Sequence, residues 1–376
     1  MWGIYGENRL DPKQFFDISL EFSSGVKWVE QSSFYDCYLS SLKLNDGLEY
    51  IGEYAFYTED SWSLDEPHGL SSVYIPSSVK FIGSSAFHNP NTIILDSNYF
   101  THYSSIHHSG MYVEDEEIMV EFNDIFGVLN NDPYKPHTLV LGDNIQGVDF
   151  NYGIYDYAFY SFSYLNTLVV GKNVKYFNPG TVDGHLSSVI YASDQLLQGG
   201  PISKPGADNI IIGSGITKLA SYALCGVQFG FNNYSGTNIF LPPTLKIIEN
   251  TALNAKGWIS SVLIPENVTE VKQDWYNAKD INIVVFSGKK PPILPEIGIY
   301  QTVGVYCSVG FICPDEYKDN YSGITSKTIE ECLNGSYDGG LRQYARYNSK
   351  DLHQYLERYL ELYGENSLPE YIKNKL

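Results

Sequence analysis

Three histidines and four acidic side chains are crowded into "THYSSIHHSGMYVEDEE": His102, His107 and His108, then Glu114, Asp115, Glu116 and Glu117. Imidazole nitrogens and carboxylate oxygens are good ligands for a divalent transition metal, so one reading of this stretch is a metal-dependent lectin or enzyme. Adjacent histidines do not readily converge on one ion, and the other reading is a solvated surface loop. On that second reading no metal and no cofactor are expected. The chain has no G-x-S-x-G, H-E-x-x-H, P-loop or G-x-G-x-x-G, and no spacing pairs a nucleophile with a base. No catalytic residue can be assigned, and a non-enzymatic protein is expected. The five cysteines (Cys37, Cys225, Cys307, Cys313 and Cys332) are too few and odd in number for a disulfide framework, although Cys307 and Cys313 could face each other across a hairpin.

Charge narrows the partners. With 44 acidic against 24 basic residues the formal net charge is −20, so the average field repels a phosphate backbone, and no cluster of Lys and Arg reverses it locally. Nucleic acid is excluded as an expectation. The 32 Tyr offer rigid amphipathic surface suited to protein or glycan contact, or they simply fill strands. The opening "MWGIYGENRLDPKQ" has neither the basic nor the apolar stretch of a signal peptide, and no apolar run reaches the ~18 residues of a membrane helix. Membrane insertion is therefore not expected.

What positions these residues is a repeat. "LSSLKLNDGLEYIGEYAF" (39–56) is rewritten as "LSSVYIPSSVKFIGSSAF" (70–87), and its strand recurs ten times, ending at Leu44, Ile75, Leu95, Leu141, Val170, Tyr191, Ile212, Leu241, Ile264 and Phe286. Most copies lie about 20 to 31 residues apart, the period of leucine-rich solenoids. In "SVYI" the alternation of a strand puts Val73 and Ile75 in the core and Ser72 and Tyr74 outside. A turn residue follows, then a second apolar element (Val79, Ile82, Ala86 and Phe87) that closes the coil. No single coil can bury both apolar edges, so the coils must stack into one elongated body. Ala55, Ala86, Ala158, Ala223 and Ala252 are expected where backbones approach, with Phe56, Phe87, Phe159, Leu224 and Leu253 filling the lumen beside them.

The spelling of these copies resembles the BspA-type leucine-rich repeat family, and "GFICPDEYKDNYSG" (310–323) looks like the segment that closes such arrays. The resemblance covers residues 39 to about 323. It implies a mainly β repeat solenoid, right-handed, used at cell surfaces of anaerobic bacteria and some protists to bind host or matrix proteins or other cells. The organisation expected is an N-terminal cap over 1–38 with Trp2, Phe15, Phe16, Phe22 and Trp28, and a solenoid over 39–295 with an insert at about 96–136. A closing segment over 296–340 and a helical C-terminal segment over 341–376 follow. In the last, Ser349 can cap a helix whose Leu352, Tyr355, Leu356, Tyr359, Leu360 and Tyr363 share one face before Gly364. That face either docks on the last coils or mediates self-association.

The function expected is therefore an adhesin-like scaffold recognising a protein or glycan, extracellular or at a cell surface. The alternative is a structural or receptor-binding part of a phage or virus particle. A candidate recognition face comes from the outward strand position. Lys43, Tyr74, Ile94, Val140, Val169, Ile190, Ile211, Phe240, Leu263 and Val285 occupy it, and all but Lys43 are apolar or aromatic where a one-sided sheet should be polar. Stacked strands would align these nine as one apolar row, which marks an interaction site unless a terminal segment covers it.

Overall fold

The alternation of buried and outward residues in each copy, followed by a turn, returns the chain beside itself one strand over, and the outcome is parallel pairing between successive copies. The computed structural model describes residues 18–58, 70–83, 85–87, 90–97, 111–113, 116–118, 137–145, 147–149, 165–174, 176–178, 186–193, 207–224, 236–253, 259–272, 281–294, 310–322, 324, 327–334 and 349–376. The chain forms two compact units. The first comprises Met1–Ile145 with Phe150–Leu165 and Thr181–Gly184; the second comprises Gln146–Asp149, Asn166–Gly180 and His185–Leu376.

In the first unit the strands are β1 (Ile18–Glu21), β2 (Trp28–Val29), β3 (Leu39–Lys43), β4 (Tyr50–Ile51), β5 (Ser72–Ile75), β6 (Phe81–Ile82), β7 (Thr92–Leu95), β8 (Met111–Val113), β9 (Glu116–Ile118) and β10 (His137–Leu141). Strands β5, β7 and β10 pair in parallel, as do β1 with β3 and the short strands β2, β4 and β6. The insert that interrupts the repeat contains an antiparallel hairpin, β8 with β9. Residues 18–38 are not an end-piece distinct from the array: Leu20 pairs with Leu42 and Trp28 with Tyr50, so they form a further coil in register with the next. Val29, Ile51 and Ile82 are buried beneath these short strands, and Phe34, Phe56 and Phe87 stack in file along the lumen at 5.5 and 5.3 Å.

The second unit holds β11 (Gly147–Asp149), β12 (Leu165–Val170), β13 (Tyr176–Asn178), β14 (Leu186–Tyr191), β15 (Ala207–Ile212), β16 (Lys218–Leu219), β17 (Thr237–Phe240), β18 (Ile247–Ile248), β19 (Ile259–Ile264), β20 (Glu270–Val271), β21 (Ile281–Phe286), β22 (Gly310–Cys313) and β23 (Lys327–Thr328). Helices α1 (Ile329–Asn334), α2 (Ser349–Tyr363) and α3 (Glu370–Lys373) complete it. Strands β12, β14, β15, β17, β19, β21, β22 and β23 run side by side in that order, every pair parallel. Strands β16, β18 and β20 form the smaller sheet on which each coil closes.

The expected core is the observed one. Val73, Ile75, Val79, Ile82, Ala86 and Phe87 are all buried, and Ala55, Ala223, Leu224, Ala252 and Leu253 likewise; Ala158 and Phe159 lie outside the described residues. Burying each large apolar side chain contributes about 1.5–3 kcal/mol, and in stacked coils that gain requires the neighbouring coil. Backbone comes close to backbone at Gly52 and Gly83, where a Cβ would collide with the backbone nitrogens of Gln31 and Glu53. Polar side chains tie turn to turn. Asn45 Nδ2 donates to the Val26 carbonyl (2.9 Å), Ser78 Oγ to Leu48 (2.7 Å), Thr244 Oγ1 to Ile216 (2.8 Å) and Asn267 Nδ2 to Pro243 (2.8 Å).

The closing segment behaves as a lid on the last coil. Tyr321 is buried beside Phe286, its hydroxyl donating to the Gly288 carbonyl at 2.8 Å, and Asn320 Nδ2 donates to the Lys289 carbonyl at 2.8 Å. Cys313 is buried with its Sγ 3.7 Å from the Lys327 carbonyl, as a thiol donor; Cys307 lies outside the described residues.

Candidate functional site: the outward row of the large sheet

The outward row is built as the alternation requires. In the first unit Tyr74 pairs with Ile94 and Ile94 with Val140, so three outward side chains stand in one file. Tyr74 is 39% exposed; Ile94 and Val140 are half-buried. The Tyr74 ring is held across its neighbour because its hydroxyl donates to Asp96 Oδ2 at 2.9 Å. Asp96 is itself buried and also accepts from the Asn144 backbone N–H (2.8 Å) and Asn144 Nδ2 (2.6 Å), so three donors hold one carboxylate. Partial burial, and then the hydrogen bond to Asp96, push the Tyr74 phenol up to about 12, so it stays a neutral donor at physiological pH.

In the second unit the file runs Val169, Ile190, Ile211, Phe240, Leu263, Val285 and Ile312, and the one register shift between β17 and β19, at Thr237 and Asn238, falls before it. Here the row is not free. Ile211, Phe240, Leu263 and Val285 are buried in a cluster with Leu352, Tyr355, Leu356 and Tyr359 of α2 and with Leu368 and Ile372 beyond it, and Ile190 packs against its margin. Of the two accounts the sequence allowed for this row, cover by a terminal segment holds for these four residues, and they offer no open surface. The physical reason is the helix period: Leu352, Tyr355, Leu356 and Tyr359 recur at i, i+3, i+4 and i+7, one apolar stripe as wide as the file beneath it. The helix begins at Ser349 and stops at Gly364, whose φ of 87° suits a left-handed residue after a C-terminus and whose N–H bonds to the Leu360 carbonyl at 2.8 Å.

The tyrosines of this helix do more than fill space. Tyr355 stacks on Phe240 with ring centroids 4.7 Å apart, and its hydroxyl donates to the Ile239 carbonyl (2.6 Å) while accepting from the Leu263 N–H (2.8 Å). With Ile239 paired to Val262, those two groups are the ones a regular parallel ladder would join to each other, so the hydroxyl occupies a rung of the sheet. Tyr359 donates to the Leu241 carbonyl (2.7 Å), Tyr371 to Ser287 (2.7 Å), and the Tyr363 hydroxyl lies 2.7 Å from the Ile212 and 2.8 Å from the Phe240 carbonyl. Nothing in the linear sequence paired these hydroxyls with strand carbonyls.

His102, His107, His108, Glu114 and Asp115 lie outside the described residues, and Glu116 and Glu117 sit on β9. Among the described residues no group of three or more His, Cys, Asp or Glu is placed to hold a metal ion, and no helix is long and apolar enough to cross a membrane.

Parallel strands laid down one per repeat, with buried Leu, Ile and Val at alternate positions, define a leucine-rich repeat protein of the mainly β kind. Residues 13–110 and 206–293 match the BspA type leucine rich repeat region, in six copies. Both segments are leucine-rich repeats of the BspA type. No curated protein matches it. Similar solved structures include a leucine rich cell surface protein from Faecalibacterium prausnitzii A2-165, at 15% identity over 88% of this chain and 62% of that one, TM-score 0.21. The pneumococcal vaccine antigen PcpA is 15% identical over 82% of this chain and 90% of its own, TM-score 0.23. A leucine-rich repeat protein from Bacteroides ovatus is 13% identical over 71% and 78%, TM-score 0.22. The chain thus spans 62% of the length of the first of these.

Proposed function

We propose that this chain is a non-enzymatic binding scaffold of a cell surface, adhesin-like, which recognises a protein ligand through the uncovered part of its outward row. The observation that carries this reading is the unequal treatment of one row. Ile211, Phe240, Leu263 and Val285 in the second unit are sealed by the chain's own helix, while Tyr74, Ile94 and Val140 in the first remain open to solvent to differing degrees. An apolar file on an otherwise polar sheet is a common signature of a recognition surface. The helix that covers the second unit supplies the chemistry of a fitting partner, an apolar stripe edged by hydroxyl donors that reach strand carbonyls. The BspA-type repeats support the scaffold role.

The test is adhesion of beads bearing the protein to a panel of immobilised extracellular-matrix proteins and to epithelial cells. A Tyr74→Ser, Ile94→Thr, Val140→Thr variant is expected to keep its Tm within a few degrees and to lose at least tenfold in bead retention. Unchanged retention by the folded variant refutes the row as the recognition face, and no retention by the parent protein on any surface refutes the adhesin-like reading.

A further inference from the structure

A second surface of the first unit carries an independent reading. On the small sheet, Trp28, Tyr50 and Phe81 occupy the same register position of β2, β4 and β6. Their rings stack in file, Trp28 on Tyr50 at 5.2 Å and 24°, Tyr50 on Phe81 at 4.6 Å and 8°. Trp28 is the last ring of the file among the described residues and is 61% exposed, where burying an indole is the ordinary outcome. The residue just before each of these strands is charged, and the three pair in file: Lys27 Nζ contacts Glu49 Oε1 at 3.1 Å and Lys80 Nζ contacts Glu49 Oε2 at 2.7 Å.

We infer that this ridge is a saccharide-binding subsite, taking a neutral oligosaccharide with one sugar ring stacked on Trp28. Tyr50 has a ring on each of its faces, so it offers a sugar only its edge and hydroxyl; Trp28 has a face to give. The negative face of an aromatic ring attracts the weakly positive axial C–H bonds of a pyranose. Beside it, ammonium donors and carboxylate acceptors alternate at the strand spacing of about 4.8 Å, a pattern that satisfies hydroxyls, each of which both donates and accepts. The charges argue for a neutral ligand. Glu49 already answers both lysines, and a charged peptide would have to break those pairs to gain its own, whereas hydroxyls add bonds to them. The site lies on a different sheet from Tyr74, Ile94 and Val140, so the two readings stand or fall separately.

The experiment titrates the full chain with cellohexaose, laminarihexaose and maltohexaose, followed by tryptophan fluorescence and calorimetry. At least one hexaose is expected to bind saturably with a Kd of about 1 mM or tighter. Trp28→Ala should weaken it at least tenfold while leaving Tm within a few degrees, and Glu49→Gln should weaken it less. No saturation by any of the three, or binding unaltered in Trp28→Ala, overturns the inference. Binding confined to a sulfated heparin hexasaccharide and abolished by salt overturns it as well, because Lys27 and Lys80 would then be serving as an anion site. Should Trp28→Ala not fold, Trp28→Thr, which suits a strand, replaces it under the same criteria.

Discussion

At the scale of single residues the repeat fixes most identities, and exceptions to it stand out. Tyr191 holds a core position that Ile75, Leu95, Leu141, Val170, Ile212, Leu241 and Ile264 fill elsewhere; it is fully buried, and its hydroxyl has no hydrogen-bond partner among the described residues. A buried, unsatisfied polar group costs about 1–3 kcal/mol, so Tyr191→Phe is expected to raise stability by about 1 kcal/mol, read as a higher midpoint in urea with the slope unchanged. A fall in the midpoint would show that the hydroxyl is satisfied. The sequence displayed the exception but not its cost, since burial of the oxygen depends on the coils on either side. It also displayed the recurring Ala of the copies without the conformation that precedes it: Tyr54, Ser85, Tyr222 and Thr251, each just before the Ala of its copy, take φ of 48° to 63°. A non-glycine residue pays a steric penalty there, and only the tight return of the coil shows why it is imposed.

At the scale of elements, strands were legible because alternation of period two is local, and so was α2, whose apolar face repeats with the helix period. Its docking place was not. Tyr355 bonds to a carbonyl 116 residues away and Tyr363 to one 151 away, and no local pattern encodes such a pairing. Residues 18–38 escaped for the opposite reason: Phe22 stands where the next copy has Leu44 and Ser33 where it has Ala55, so a coil of the array read as an end-piece. The docked tyrosines make a pH prediction. Burial pushes the phenols of Tyr359, Tyr363 and Tyr371 well above the ordinary value. Above about pH 10 the unfolded chain releases those protons while the folded one retains them, so the unfolded state binds fewer protons and stability falls as pH rises. Urea midpoints should be level from about pH 7 to 9 and decline beyond about 10, and the triple variant Tyr359→Phe, Tyr363→Phe, Tyr371→Phe should decline less steeply from its lower starting value. An identical slope in the variant would remove these three groups from the account.

At the scale of the whole molecule, a solenoid must keep its apolar files from meeting those of other chains, and two devices oppose that here. One is the net charge of −20, which repels a second copy over a Debye length of about 8 Å at physiological salt. The other is α2 with the segment after it, which seals Ile211, Phe240, Leu263, Val285 and Ile312. Ending the chain at residue 348 separates the two, because the lost residues carry nearly balanced charge while the file beneath them becomes solvent-facing. Those five side chains stand on neighbouring strands, so the exposed patch is contiguous and of the size that drives association. The shortened chain is expected to bind an apolar dye, to unfold at lower urea than the parent, and to associate in a concentration-dependent way by sedimentation. Association should strengthen between about 0.05 and 0.5 M NaCl as the repulsion is screened. Adding back a peptide of residues 349–376 should suppress both dye binding and association. A shortened chain that stays monomeric and dye-silent at high salt would mean that the sheet closes over its own row, and that the helix is an ornament of the fold instead of its cover.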